Sequence, residues 1–456
     1  MASAADRLTL GLSPGKLAQA TDLKKRLWFT IGALIVFRAL SYVPLPGIDP
    51  TVLRQLSERT SGGVLDFFNT FSGGALERMS LIALGVMPYI TASIVVQLAS
   101  SLSPKLAAIK KEGESGRKRL NQYTRYGTVL LTAVQGYFIA VGLETLGASQ
   151  GLQAVIEPGP LFRVACVVSL IGGTMFLMWL GEQITSRGIG NGVSLIIMAG
   201  IVAHLPTTLY QLLESARSGQ GNIGGAQLIG IVLAVAGLIL FICFMERAQR
   251  RILIQYPKRQ TQRGMQAERS HLPLKINTAG VIPPIFASSL LLMPLTVSQF
   301  AGNQVAGESA WGDFVLTMNQ LLQHGSPVYM ALYAAGIIFF SFFYTAVVFN
   351  PEETADNLKR YGGFVPGIRP GKNTETYFDY VLTRITVIGA AYLTVICLLP
   401  EYLVTALSIP FYLGGTSLLI VVNVTMDTVT QIQSHLLAHQ YGDLIKKAKL
   451  KGGRLR

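Results

Sequence analysis

Apolar and polar positions along the chain do not alternate with the short periods of a soluble fold. Instead, nearly uncharged runs of about 20 residues, the length an α-helix needs to cross a hydrocarbon core, follow one another between residues 27 and 430. Ten runs are read as membrane-spanning helices: 27–46, 80–101, 124–145, 161–181, 189–208, 227–246, 279–299, 327–349, 381–400 and 409–430. The first, LWFTIGALIVFRALSYVPLP, follows Lys24, Lys25 and Arg26 and so looks like the start of a signal peptide. It contains Arg38, lacks a small-x-small cleavage site and leads into a chain that keeps re-entering the membrane. It is therefore read as the first permanent span.

The polar connections set the orientation. Cytoplasmic loops carry the excess of Lys and Arg. With ten spans and an inside N-terminus, segments 1–26, 102–126, 182–190, 247–277, 350–384 and the tail after 430 hold 32 of the 38 basic residues. Both ends are thus expected in the cytoplasm. The division that follows is an N-terminal segment 1–26, a five-span half 27–208, a second five-span half 227–430, and a basic tail 431–456.

Residues 85–93 read GVMPYITAS and residues 280–288 read GVIPPIFAS, with six of nine positions identical. They fall in the second and seventh spans, which correspond if the chain is two five-span halves. An odd number of spans per half forces the halves into opposite orientations, and matching Gly/Pro interruptions in the two halves mark the working site of such a fold. Proline removes a helix hydrogen bond, and exposed backbone at membrane depth is tolerated only against protein or a water-filled cavity. Pro88 and Pro283 are therefore expected to interrupt their spans and face an interior pathway. The plain alternative is a pair of kinks in packed helices.

Composition agrees with a membrane protein: 50% of residues are hydrophobic and 14% charged, against about 25% charged in soluble domains. Ionisable groups inside spans are costly and mark ion pathways. Here Arg38 is the one clear mid-span charge; Glu182, Glu246 and Asp427 fall towards span ends, where snorkelling or headgroup contact suffices. The pathway lining is read instead as apolar, with the amides Gln97 and Asn277 nearby. An apolar constriction excludes ions by dewetting, which argues for a gated pore over a binding site for a small charged solute. An ion-coupled transporter and an intramembrane protease are the competing classes, and neither finds its required charges or nucleophile–base pair.

The formal charge of +14 is one-sided in this topology, which suits anionic lipid headgroups. Segments 247–277 and 350–384 are longer than a helix connection needs and carry the basic motifs RAQRRILIQYPKRQTQRG and GIRPGK, so they are also read as docking loops. Cys166, Cys243 and Cys397 form no C-x-x-C pair and are read as small apolar residues. His435, His439 and Asp443 have helical metal-like spacing but lie in the polar tail. RGIGNG (187–192) lacks the lysine of a phosphate loop and reads as a tight turn between helices.

Long stretches carry a family resemblance. FFNTFSGGALERMS (67–80), GVMPYITASIVVQ (85–97), KKEGESGRKRLNQYTRYG (110–127), MWLGEQITSRGIGNGVS (178–194), HLPLKINTAGVIPPIFASS (271–289), NPEETADNLKRYGGFVPGIRPG (350–371) and PFYLGGTSLLIVV (410–422) resemble the SecY family, the main subunit of the bacterial protein-conducting channel. The resemblance implies an all-α polytopic fold of ten transmembrane helices, in two inverted halves forming a clamshell around an hourglass pore. It implies a pore ring of Val86, Ile90, Val193, Ile197, Ile285 and Ile420, with valine for the commoner isoleucine at Val86 and Val193. It implies a plug over 64–78, including Phe67, Phe68, Asn69, Phe71, Ser72, Gly73 and Gly74. Gln97 and Asn277 resemble the polar pair of a lateral gate to which Pro88 and Pro283 also belong. Arg250, Arg251, Lys258, Arg259 and Arg369 resemble docking residues for the ribosome and the SecA motor ATPase. Small partner subunits SecE and SecG, signal sequences as clients, a bacterial inner membrane location and no cofactor are implied in the same way.

Overall fold

A computed structural model of the protein describes residues 21–49, 52, 72–149, 155–218, 225–256, 259–261, 264–266, 269–291, 317, 321, 326–407 and 414–452. The helices are α1 Thr21–Leu40, α2 Met87–Leu102, α3 Pro104–Lys111, α4 Glu114–Ser149, α5 Pro160–Arg187, α6 Gly192–Ser218 and α7 Gly225–Arg247. They continue as α8 Ile282–Leu291, α9 Pro327–Val348, α10 Pro351–Arg360, α11 Lys372–Leu407 and α12 Gly415–Gly452. Four short strands stand between α7 and α8: β1 Gln249–Gln255, β2 Arg259–Thr261, β3 Gly264–Gln266 and β4 Arg269–Lys275.

Among the described residues, six helical segments are long and apolar enough to cross a membrane. The pair α2–α3, bent by 105°, makes a seventh if it counts as one span. Helix α8 starts three residues after the start of the seventh expected span, and Leu291 is its last described residue. Helices α1 and α12 occupy the first and tenth expected spans but carry polar ends, KKR in α1 and the DLIKKAKLK stretch in α12.

Several boundaries differ from the hydropathy reading for local reasons. Helix α1 ends at Leu40, where Tyr42 and Val43 tighten into i→i−3 bonds to Ala39 and Leu40 and prolines follow at 44 and 46. The run 80–101 is helical only from Met87; residues 72–86 form turns, and Leu45 and Leu81 donate their N–H groups to Met79 and Val43. Helices α4 and α11 extend well beyond the apolar runs inside them, since a helix needs no membrane to continue through a polar stretch.

Contacts divide the chain into two compact units that are not the sequence halves: residues 1–89, 125–206 and 420–456, and residues 90–124 and 207–419. In the first unit the RGIGNG segment is the expected tight turn, held from three helices. Thr30 of α1 accepts from Ile189 N, Thr185 of α5 accepts from Gly192 N, and Gln431 of α12 accepts from Gly190 N. Leu23, Ile189 and Leu436 bury together beside it.

In the second unit, β1 and β4 pair antiparallel from Gln249↔Lys275 to Gln255↔Arg269. This hairpin is not among the expected elements, although HLPLKI alternates in the strand period. Its apolar face, Ile252 and Leu274, packs on Ala355 of α10, Val365, and Phe378, Val381, Leu382 and Ile385 of α11. Helix α10 is well specified: Asn350 caps it by accepting from Glu352 N and Glu353 N, Pro351 opens it, acids fill its first turn and Lys359 and Arg360 its last.

Candidate gate and docking sites

The repeated Gly-Val-x-Pro motif is built the same way twice. Gly85 and Gly280 both have left-handed backbones, φ 57° and 64°, which glycine adopts without the Cβ clash of other residues. Two residues later a helix begins, α2 at Met87 and α8 at Ile282, so Pro88 and Pro283 occupy the second helical position. There the missing N–H has no partner to lose. The expectation that these prolines interrupt a helix is corrected: they start one. Both are buried.

Of the expected ring residues, Val86, Val193, Ile197 and Ile420 belong to the first unit, Ile90 and Ile285 to the second. Val86, Ile90, Ile197 and Ile420 are buried; Val193 and Ile285 are partly so. Val86 follows directly on the left-handed Gly85, and Ile90 and Ile285 occupy the first turn of α2 and α8. Val193 is the second residue of α6, beside the RGIGNG turn, its N–H bonded to the Asn191 side chain.

Of the expected plug, Phe67, Phe68, Asn69 and Phe71 lie outside the described residues, whereas Ser72, Gly73 and Gly74 are buried. Arg38 donates from Nη1 to the Gly73 carbonyl at 2.6 Å and from Nη2 to the Tyr42 hydroxyl at 3.1 Å. Its guanidinium and that of Arg78 lie over the Tyr42 ring, 5.0 and 4.3 Å from the centroid. Gly73 passes so near α6 that a Cβ on it would stand 3.0 Å from Gly200 Cα. Arg38 is thus not a bare mid-span charge. It sits in the last turn of α1, where the helix dipole favours a cation, and it holds the end of the expected plug.

The expected amide pair is not formed. Gln97 bonds within its own helix, donating to Ser93 Oγ at 3.4 Å. Asn277 instead donates to Glu246 Oε1 at 2.6 Å and to the Gly280 carbonyl at 3.0 Å. Glu246 and Asn277 are 7% and 4% exposed, so the expectation that Glu246 reaches headgroups is also corrected. Sequence reasoning weighs Glu246 only as a span-end charge; the available signal was that it is the lone acid of α7, the most apolar span. Glu182, likewise expected at a span end, is held by both oxygens to Arg125 at 2.7 and 2.8 Å.

The two basic motifs share one body. Arg250 and Arg251 are exposed on β1, Lys258 lies outside the described residues, and Arg259 opens β2, paired with Gln266. Gln255 and Phe364 exchange backbone hydrogen bonds at 2.9 and 3.0 Å, tying the hairpin to the loop that carries Arg369. The Arg369 side chain is exposed, and its carbonyl accepts from Thr374 Oγ1 at 2.9 Å. Gly367 and Gly371, φ 84° and 110°, bracket it in a fixed turn.

Comparison with known proteins identifies the family. A family model described as SecY matches residues 80–429. The protein translocase subunit SecY of Escherichia coli K12 is 55% identical over 432 residues, covering 94% of this chain and 96% of the relative. The SecY subunit of Vibrio cholerae is 55% identical over 433 residues, covering 95% and 96%. A solved structure described as a protein conducting channel superposes with a TM-score of 0.62 at 17% identity, covering 91% of this chain and 92% of that one. A second, at TM-score 0.59 and 17% identity over the same shares, concerns a SecY plug domain that stabilises the closed channel and maintains a membrane seal. Sec61 from a canine ribosome–channel complex superposes at TM-score 0.60 and 16% identity, also covering 91% and 92%. The chain therefore belongs to the SecY family and has the fold of the protein-conducting channels.

Proposed function

We propose that this chain passes unfolded secretory polypeptides across the bacterial inner membrane and releases signal-anchor and transmembrane segments sideways into lipid. The observation that carries the reading is the twice-built Gly-Val-x-Pro helix start. It leads the chain directly into branched aliphatics: Val86 and Ile90 at α2, Ile285 at α8. With Val193, Ile197 and Ile420 these form an apolar ring that sheds water yet adapts to any side chain passing it. The segment 64–78 is the plug that stops the resting pore, held through Gly73 by Arg38. Signal sequences open the channel sideways at a gate that includes Gln97, Asn277, Pro88 and Pro283.

Both termini lie in the cytoplasm, as the basic residues direct. The face carrying Arg250, Arg251, Lys258, Arg259 and Arg369 receives the ribosome or the SecA motor. Arginine suits this task because its planar fork pairs carboxylate or phosphate in two-point fashion. The packed core joining hairpin, α10 and α11 supports this reading, since it carries Arg250, Arg251 and the Arg369 loop on one base. SecE and SecG complete the assembly, and anionic lipids border the basic face. The test is translocation of a secretory precursor into proteoliposomes holding the purified chain with SecE, SecG and SecA. Protease-protected, full-length precursor is expected; ATP-dependent binding without protection would contradict the reading.

A further inference from the structure

The β1–β4 ladder does not stop at Gln249↔Lys275. Ile276 N donates to the Ala248 carbonyl at 3.1 Å, and just beyond it, one residue off the strand register, the Glu246 carboxyl takes the Asn277 amide at 2.6 Å. That last rung is made of side chains, and it joins the end of α7 to the turn from which α8 starts. Asn277 spends its second amide hydrogen on the Gly280 carbonyl, in the left-handed residue that sets the direction of α8. The junction is tight. A Cβ on Gly389 of α11 would stand 2.8 Å from the Ile276 carbonyl, and both members of the rung are withdrawn from solvent. A buried hydrogen bond of this kind costs most when one partner alone is removed.

We infer that Glu246 is a positioning residue of the gate: by holding Asn277 it fixes the start of α8 in the resting position. Opening the gate at α8 then requires this rung to break, so Glu246 sets how strong a signal sequence must be. The inference rests on the gate reading under Proposed function. It adds to that reading the residue on α7 against which α8 is held.

The test compares export of one reporter carrying a weakened signal sequence with the same reporter carrying an intact one. E246A is expected to raise the weak-to-intact ratio about tenfold, the effect of one net hydrogen bond. E246Q keeps an oxygen acceptor in place and is expected to stay within about twofold of the unsubstituted protein. N277A removes the same rung from its other end together with the Gly280 bond, so it should raise the ratio at least as far as E246A, and the double variant should not exceed N277A, as residues acting through one contact are not additive. A merely structural loss would lower both exports together and leave the ratio unmoved. Should E246A not accumulate, N277A must show the rise alone, and its failure to do so overturns the inference. Equal ratios for E246A and E246Q, or additive effects in the double variant, also overturn it. A photo-crosslinker at Ile282 separates the two levels: no crosslink to the signal sequence removes the gate reading and the inference with it, whereas a crosslink with an unmoved E246A ratio removes the inference alone.

Discussion

Gly85 and Gly280, 195 residues apart in sequence, carry the same left-handed backbone and each stands two residues before a helix whose second position is proline. The internal repeat is therefore conserved in conformation as well as in letters within this one chain. It places the entry to α2 and the entry to α8 under the same geometric control.

Backbone conformation and close packing are separable at these glycines. A Cβ on Gly85 would meet nothing nearer than 3.9 Å, so G85A costs only the left-handed strain, about 1–2 kcal/mol. A Cβ on Gly173 of α5 would stand 1.9 Å from the Leu81 carbonyl, and neither backbone can yield. In thermal unfolding of the detergent-purified protein, G85A is expected to lower Tm by a few degrees. G173A should lower it far more or prevent accumulation; the reverse order would contradict the packing described.

Arg38 offers a direct reading of the plug. Its bond to the Gly73 carbonyl joins a charged donor to a backbone acceptor, worth roughly 1.5–3 kcal/mol when the partner has no replacement. R38A should raise the open fraction of the resting channel in planar bilayers by about tenfold or more, the factor that follows from that range. R38K, with a single point donor in place of the fork, should fall between. Resting conductance unchanged in R38A would detach Arg38 from the seal.

Arg369 is exposed, and its carbonyl accepts from Thr374 Oγ1. R369E should therefore leave insertion and accumulation of the protein normal while abolishing SecA-driven export in proteoliposomes. Normal export by R369E would refute its docking role.

Phe378 is 0% exposed at the centre of the core that joins hairpin, α10 and α11. Truncating a buried aromatic of this kind costs about 3–5 kcal/mol. F378A should make the β1–β4 hairpin cleavable by protease at concentrations that spare the parent protein. It should weaken export even though Arg250, Arg251 and Arg369 are intact. Unchanged cleavage would mean that the platform does not depend on this core.

The spans were legible because bilayer thickness imposes a length and an absence of charge that no other element imitates. The RGIGNG turn was legible for a related reason, since glycines between two apolar runs leave little else to form. The motif at Pro88 and Pro283 was found but misjudged: the letters show a proline within an apolar run, and only the φ of the preceding glycine reveals that the helix starts there. Arg38 and Glu246 were each weighed as single charges. Their partners, the Gly73 carbonyl and the Asn277 amide, are 35 and 31 residues away, and no periodicity encodes such a meeting. The β1–β4 hairpin was readable only in part, in the alternation of HLPLKI, since RRILIQ shows no such period and its arginines suit a basic loop equally well. Branched aliphatics such as Ile90, Ile197 and Ile420 look the same in sequence whether they pack, face lipid or line a pathway.

The measurement that bears most directly on the central claim places a photo-crosslinker at Ile90, and separately at Ile285, beside a stalled secretory chain bearing its signal sequence. Crosslinks from both positions to the nascent polypeptide are predicted. Silence at both, with targeting of the stalled chain verified, would mean that the two Gly-Val-x-Pro helix starts serve packing alone and that the polypeptide does not pass them.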